Sequence, residues 1–210
     1  MATKMDVEPI SSDRRITGLV GGIQLATVNR VARLLAPKDM GLSRMHRISD
    51  TGAELSSTMQ LAVGQAVQLD LSETVSLDAE VSMGLGGRYG LIFRQSIHPA
   101  LLLRDLVQEA RSARARPLRL ATGRMKAIGK CTDGNRPLEV RDISQRGMKV
   151  RHDGEFRPGL RVCIQLPNGR ECRGIVRWTN ESCAGLLLDE ILSANELGSV
   201  CALQGGDTPP

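Results

Sequence analysis

Hydrophobic and polar positions alternate over short runs along most of the chain, and glycine or proline separates the runs. In the C-terminal half, residues 138–140 lead into Asp142-Ile143-Ser144, and residues 148–150 alternate out of it. Residues 161–166 follow Pro158-Gly159, and Pro167-Asn168-Gly169 supplies the next turn. Residues 174–178 and 184–188 read as a hairpin across Asn180. The N-terminal half offers residues 65–71, 76–83 and 89–93 as strands, turning at Gly84, Gly86 and Gly87. Short strands between glycine turns predict a small barrel or sandwich. Two stretches have helical character instead. Pro99 suits a first helical turn, and Leu102, Leu103, Leu106, Val107 and Ala110 form a stripe behind it. Ser193-x-x-Glu196 is a capping box that opens a final helix.

The two halves repeat. Ile48-Ser49-x-x-Gly52 recurs as Ile143-Ser144-x-x-Gly147, 95 residues later. The same offset carries Gly64 onto Gly159, Val81 onto Val176, Gly90 onto Gly185, and Leu91-Ile92-Phe93 onto Leu186-Leu187-Leu188. Matches at one spacing without a gap predict two copies of one fold. The expected division is a frayed N-terminus (1–14), a first barrel (15–97), a helix and linker (98–114), a second barrel (115–203) and a disordered tail (204–210).

Composition narrows the chemistry. The five cysteines are odd in number and form no C-x-x-C pair, which suits free thiols in a reducing cytoplasm. None of the three histidines stands at ligand spacing from a cysteine or carboxylate, so no metal site is expected. No apolar run approaches the roughly 18 residues of a membrane span. No nucleophile–base pair, paired carboxylates or phosphate loop marks an enzyme. Only four aromatic residues are present (Tyr89, Phe93, Phe156, Trp178), too few for the usual nucleic-acid stacking platform. Trp178 itself reads as barrel surface or core.

Charge is uneven. Between Glu109 and Asp133 there is no acid, while Arg111, Arg114, Arg116, Arg119, Arg124, Lys126 and Lys130 all fall there. Such a run suits a polyanion better than a core. Just downstream, Asp142, Ser144 and Gly147 offer an acceptor, a hydroxyl and a permissive backbone. Each feature has a plainer reading. An Asp-x-Ser segment between strands is often a turn whose side chains bond the local backbone. Arginines at a helix end are favoured by the macrodipole.

Together these residues resemble the PilZ family, whose motifs are R-x-x-x-R followed by [DN]-x-S-x-x-G. Asp142-x-Ser144-x-x-Gly147 fits the second motif, and residues 173–188 resemble the family's late strands. The resemblance covers about 115–205 well and 25–97 weakly. It implies a mainly β chain of two tandem six-stranded barrels, each followed by an α-helix. It also implies a cyclic di-GMP ligand, with Arg114, Arg116, Arg119, Asp142, Ser144 and Gly147 as the site. Two departures stand out. No arginines in 111–124 are four residues apart; Arg116 and Arg119 are three apart, Arg114 and Arg119 five. In the first copy Arg47 occupies the Asp or Asn position, and no comparable arginine cluster precedes it.

Cyclic di-GMP carries two phosphodiesters and two guanines. An arginine fork bonds guanine O6 and N7 together, and its plane stacks on purines. On this resemblance Asp142 would accept from guanine N1–H and N2–H, Ser144 would add a hydrogen bond, and Gly147 would let the backbone approach. The expectation is therefore a non-enzymatic cytoplasmic receptor. Ligand would wrap the arginine linker onto the second barrel and change the angle between the copies. A partner acting in motility, secretion or polysaccharide synthesis (a flagellar, secretion or biofilm component) would read the change. The alternative is a PilZ adaptor that binds protein only.

Overall fold

In the computed structural model, residues 26–112, 116–132, 134–154 and 156–206 are described. The first barrel is built from β1 (Ala26–Ala36), β2 (Asp39–Ile48), β3 (Gly52–Ser56), β4 (Ala66–Asp70), β5 (Ser76–Leu85) and β6 (Arg88–Phe93). It closes in the order β1-β2-β3-β6-β5-β4. Helix α1 (Pro99–Arg111) leads on to β7 (Leu120–Cys131), β8 (Gly134–Ser144), β9 (Gly147–Arg151), β10 (Arg161–Gln165), β11 (Glu171–Asn180) and β12 (Cys183–Leu188). These close a second barrel in the matching order, β7-β8-β9-β12-β11-β10. A single turn of helix, α2 (Val200–Leu203), follows.

The repeat holds strand by strand. β3 to β6 begin at residues 52, 66, 76 and 88, and β9 to β12 begin at 147, 161, 171 and 183, each 95 residues later. The irregularities repeat as well. Bulges at Met45/Arg47 and Val81/Met83 in the first barrel recur at Val140/Asp142 and Val176/Trp178 in the second. An extra residue on one strand kinks it and turns two neighbours to the same side. The two barrels are therefore bent at the same corners.

Alternation fills both interiors. Leu34, Met45, Ile48, Leu55, Leu69, Val81 and Leu91 fill the first, and Leu106 of α1 packs with them. Leu102 and Leu103 of α1 also join that packing, but Val107 and Ala110 stay exposed, so the helix docks by a narrower stripe than its sequence suggests. The second core holds Leu120, Val140, Ile143, Met148, Ile164, Val176 and Leu186, closed by Leu192, Leu197, Val200 and Leu203 of the C-terminal segment. Leu42 of β2 belongs to this second core. Fully burying such a side chain stabilises by about 1.5–3 kcal/mol.

A seam of polar contacts follows Leu42. Its N–H donates to the Leu197 carbonyl at 2.8 Å. Asp39 accepts from the Ser199 hydroxyl at 2.6 Å and from the Cys201 N–H at 3.1 Å. The bond to Leu197 also separates the final helix from the capping box expected to open it. Ser193 and Glu196 do exchange capping-box bonds, Ser193 N–H to Glu196 Oε2 at 2.6 Å and Glu196 N–H to Ser193 Oγ at 3.2 Å. They close an isolated turn, however, because the Leu197 carbonyl is spent on β2 rather than on a helical ladder. The helix itself starts six residues further on, capped by Ser199 Oγ, which accepts from the Ala202 N–H. It ends on Gly205 at φ 73°, with Gly205 N–H bonded to Ala202 O and Gly206 N–H to Cys201 O. This is a Schellman arrangement that a left-handed glycine permits. Gly205 and Gly206 thus belong to the cap rather than to a tail, while 1–25 and 207–210 lie outside the described residues.

Candidate functional site

Asp142 stands on the outer face of β8 because of the bulge at Val140/Asp142. Val140 and Ile143 are buried, and Arg141 and Asp142 between them are both half-buried. One carboxylate oxygen, Oδ1, accepts from Arg119 Nε at 2.5 Å. Their side chains are 24% and 40% exposed, so the pair sits in high dielectric and adds at most about 1 kcal/mol to stability. Its value lies in placing a guanidinium fork beside an acceptor.

Arg119 is the last residue before β7, and its backbone is held on both sides. Its N–H donates to Glu73 Oε1 at 3.3 Å, and its carbonyl accepts from Arg33 Nη1 at 2.6 Å. Arg116 is exposed and makes no hydrogen bond or ion pair among the described residues. Arg114 lies outside the described residues. Of the two described arginines among the three expected at the site, Arg119 is the one brought against Asp142.

Ser144 and Gly147 make the turn between β8 and β9. The Ser144 side chain is buried, and its hydroxyl donates to the Gly147 carbonyl at 3.1 Å. A Cβ on Gly147 would stand 3.0 Å from the Leu186 carbonyl, so glycine here serves the close approach of β12. The first barrel repeats the device. Ser49 Oγ donates to the Gly52 carbonyl at 3.2 Å, and a Cβ on Gly52 would lie 2.3 Å from Leu91 O. The turn reading and the site reading therefore divide the motif: serine and glycine make the turn, and the aspartate is left on the surface.

Charge separates the copies. Asp142 lies opposite Lys149 across β8 and β9. The equivalent positions 95 residues earlier are Arg47 and Glu54, paired at 3.7 Å. The signs are reversed. Where the second barrel presents a carboxylate, the first presents a guanidinium, which offers no acceptor to a guanine edge.

The row extends beyond the predicted site residues. Lys149 is also the partner of Gly185 on β12. A Cβ on Gly185 would fall 2.1 Å from Trp178 Nε1, so the indole lies flat across that glycine, 43% exposed. Asp142, Lys149 and Trp178 thus line one outer face. The 95-residue offset signals Lys149 and Trp178 through their counterparts Glu54 and Met83; nothing in the sequence signals Arg33 and Glu73. Two clefts of about 340 and 670 Å³ lie at the β1–β2 turn, away from this face, which is an open surface.

Other groups lack that setting. His46 and His152 are each held by a neighbour: Ser56 Oγ lies 3.0 Å from His46 Nε2, and His152 stacks on Phe156 at 4.6 Å. Burial pushes the Cys172 thiol up, away from reactivity. Among the described residues, no group of three or more His, Cys, Asp or Glu could hold a metal ion. Nor is any described helix long and apolar enough to cross a membrane.

A family model described as PilZ domain matches residues 115–197. Among solved structures, the chain is similar to the Borreliella burgdorferi PlzA protein in complex with c-di-GMP, at 13% identity and a TM-score of 0.33, covering 78% of this chain and 83% of that one. It is similar to YcgR from Escherichia coli in complex with c-di-GMP at 16% identity and 0.30, covering 78% and 76%. The Bacillus subtilis inhibitor of motility MotI/DgrA follows at 14% identity and 0.31, covering 80% and 91%. No curated protein matches the chain.

Proposed function

We propose that the second barrel, whose residues 115–197 match the PilZ domain model, is a cyclic di-GMP receptor. The observation that carries this reading is the Arg119–Asp142 pair on an open barrel face, set against the reversed charges of the first copy. Asp142 accepts from guanine N1–H and N2–H, while the Arg119 fork takes the O6 and N7 edge or a phosphodiester. Arg116 and Arg114 add charge from the linker. Ser144 and Gly147 hold the turn that keeps Asp142 at the surface. The protein is a non-catalytic cytoplasmic regulator. Ordering of the linker by ligand changes the arrangement of the barrels, and a protein partner in motility, secretion or polysaccharide synthesis reads the change.

Calorimetric titration of cyclic di-GMP into wild type, Arg116→Ala, Arg119→Ala and Asp142→Ala tests the reading. A hydrogen bond to a charged group contributes about 1.5–3 kcal/mol, so losing Arg119 or Asp142 should weaken binding roughly 10- to 150-fold. Unchanged binding in both would move the site elsewhere. The spacing of Arg116 and Arg119 favours a second reading, an adaptor that binds protein only. Absence of heat and of thermal shift with wild type would select it. Unchanged small-angle scattering at saturating ligand would refute the interdomain switch.

A further inference from the structure

The first barrel lacks the ligand chemistry, yet it holds the backbone of the arginine that the second barrel uses. Three groups form a closed ring. Arg33 Nη1 donates to Glu73 Oε1 at 3.1 Å and to the Arg119 carbonyl at 2.6 Å. The same oxygen of Glu73 accepts from the Arg119 N–H at 3.3 Å. The backbone of one residue is thus gripped on both sides of its Cα, at the N–H and at the carbonyl.

The ring is itself supported. Arg33 is fixed by Asp70, which accepts from Nε at 2.8 Å and pairs with Nη2 at 2.8 Å. Asp70 is 3% exposed, and its other oxygen accepts from Gln68 Nε2 at 2.9 Å. Glu73 sits in a short loop that Ser72 braces, its hydroxyl accepting from the N–H groups of Thr74 and Val75. The next residue, Thr74, donates its hydroxyl to Glu109 of α1 at 3.2 Å. The same loop therefore holds the chain on both sides of the linker, at Glu109 and at Arg119.

A guanidinium on a long side chain loses much rotamer freedom when it binds, and a backbone held in advance reduces what remains to be ordered. We propose that Arg33 and Glu73 are positioning residues for the nucleotide site. They fix the Arg119 backbone so that its side chain reaches the face beside Asp142. The inference rests on the receptor reading above. It makes the first barrel part of the binding apparatus, although it touches no ligand.

Charge and clamp make opposite forecasts, which makes Glu73 the informative position. Removing a carboxylate near a dianionic ligand should tighten binding whichever residue replaces it. Loss of the clamp should weaken binding only where no oxygen acceptor remains. In calorimetry with cyclic di-GMP on the full chain, Glu73→Ala is expected to weaken binding about 5- to 10-fold. Glu73→Gln, which keeps an oxygen for Arg119 N–H and Arg33, should stay within about twofold of wild type. In an Arg119→Ala background, Glu73→Ala should add no further loss. Without ligand, exchange of the Arg119 amide measured by NMR should quicken at least about fivefold in Glu73→Ala and stay near wild type in Glu73→Gln. Tighter or unchanged binding by Glu73→Ala would overturn the proposal, and so would an undiminished loss in the Arg119→Ala background. Should wild type bind no nucleotide, the receptor reading fails; an unchanged Arg119 amide would then dismiss the clamp separately.

Discussion

A single methyl group at Gly41 tests whether the seam holds the barrels together. An ideal Cβ there would lie 1.8 Å from Gly198 O, 2.2 Å from Gly198 C and 2.8 Å from Ser199 N. All three are backbone atoms, so no side chain can swing aside. Ordinary carbon–oxygen contact is about 3.3 Å, so the C-terminal turn must retreat by roughly 1.5 Å. A retreat of that size breaks the Leu42–Leu197 bond, now 2.8 Å, and loosens Asp39 from Ser199 and Cys201. One broken hydrogen bond at about 1 kcal/mol, about as much again from the two loosened ones, and overpacking at about 1–3 kcal/mol give a loss of about 3–5 kcal/mol for Gly41→Ala. For a chain of this size, that lowers Tm by roughly 6–20 °C in calorimetry. Gly64→Ala is the control. Gly64 has φ 82° and nothing within 4 Å of its Cβ position, so it should lose only about 1–2 kcal/mol of backbone strain. A Gly41→Ala loss no larger than the control's would mean the close approach contributes little.

Glu196 should make stability acid-sensitive. Bonds from the Ser193 N–H, from its hydroxyl and from Arg170 lower its carboxyl from 4.5 to about 2. A depressed carboxyl stabilises the fold above its unfolded value, so this contribution is complete above about pH 4.5 and disappears as pH falls toward 2. Glu196→Gln should flatten the fall in Tm across that window, and an unaltered slope would count against the assignment. Gly185→Ala should drive the Trp178 indole off β12, since its Nε1 lies 2.1 Å from the added carbon. Trp178 is the only tryptophan, so its emission should shift to the red, with a loss of about 1–3 kcal/mol. An unshifted spectrum would mean that the ring does not cover Gly185.

The barrels were legible in the sequence because a half-buried strand writes itself as alternation and each tight corner as glycine. The 95-residue spacing then joined the two copies. Asp142 was legible because its surroundings recur around Arg47 with the charge changed. Ser144 and Gly147 were seen for a less complete reason: their spacing marks the turn as much as any ligand. The final helix was misplaced because local sequence records a capping box but not the partner of a carbonyl, and Leu197 bonds to β2. The contacts of Arg33, Asp70 and Glu73 around Arg119 were invisible. These residues lie 46 or more positions from Arg119, and ordinary surface charges look the same.

The paired Ser–Gly turns also bear on how this motif should be used as a signature. Serine and glycine at that spacing occur in both barrels, in the same geometry, while the acidic residue two places before the serine occurs in one. A pattern search that weights all three positions equally reports ancestry and ligand chemistry as one score. Scored separately, Ser-x-x-Gly identifies the scaffold, and the residue at position 47 or 142 separates the duplicate that presents a guanidinium from the one that presents a carboxylate.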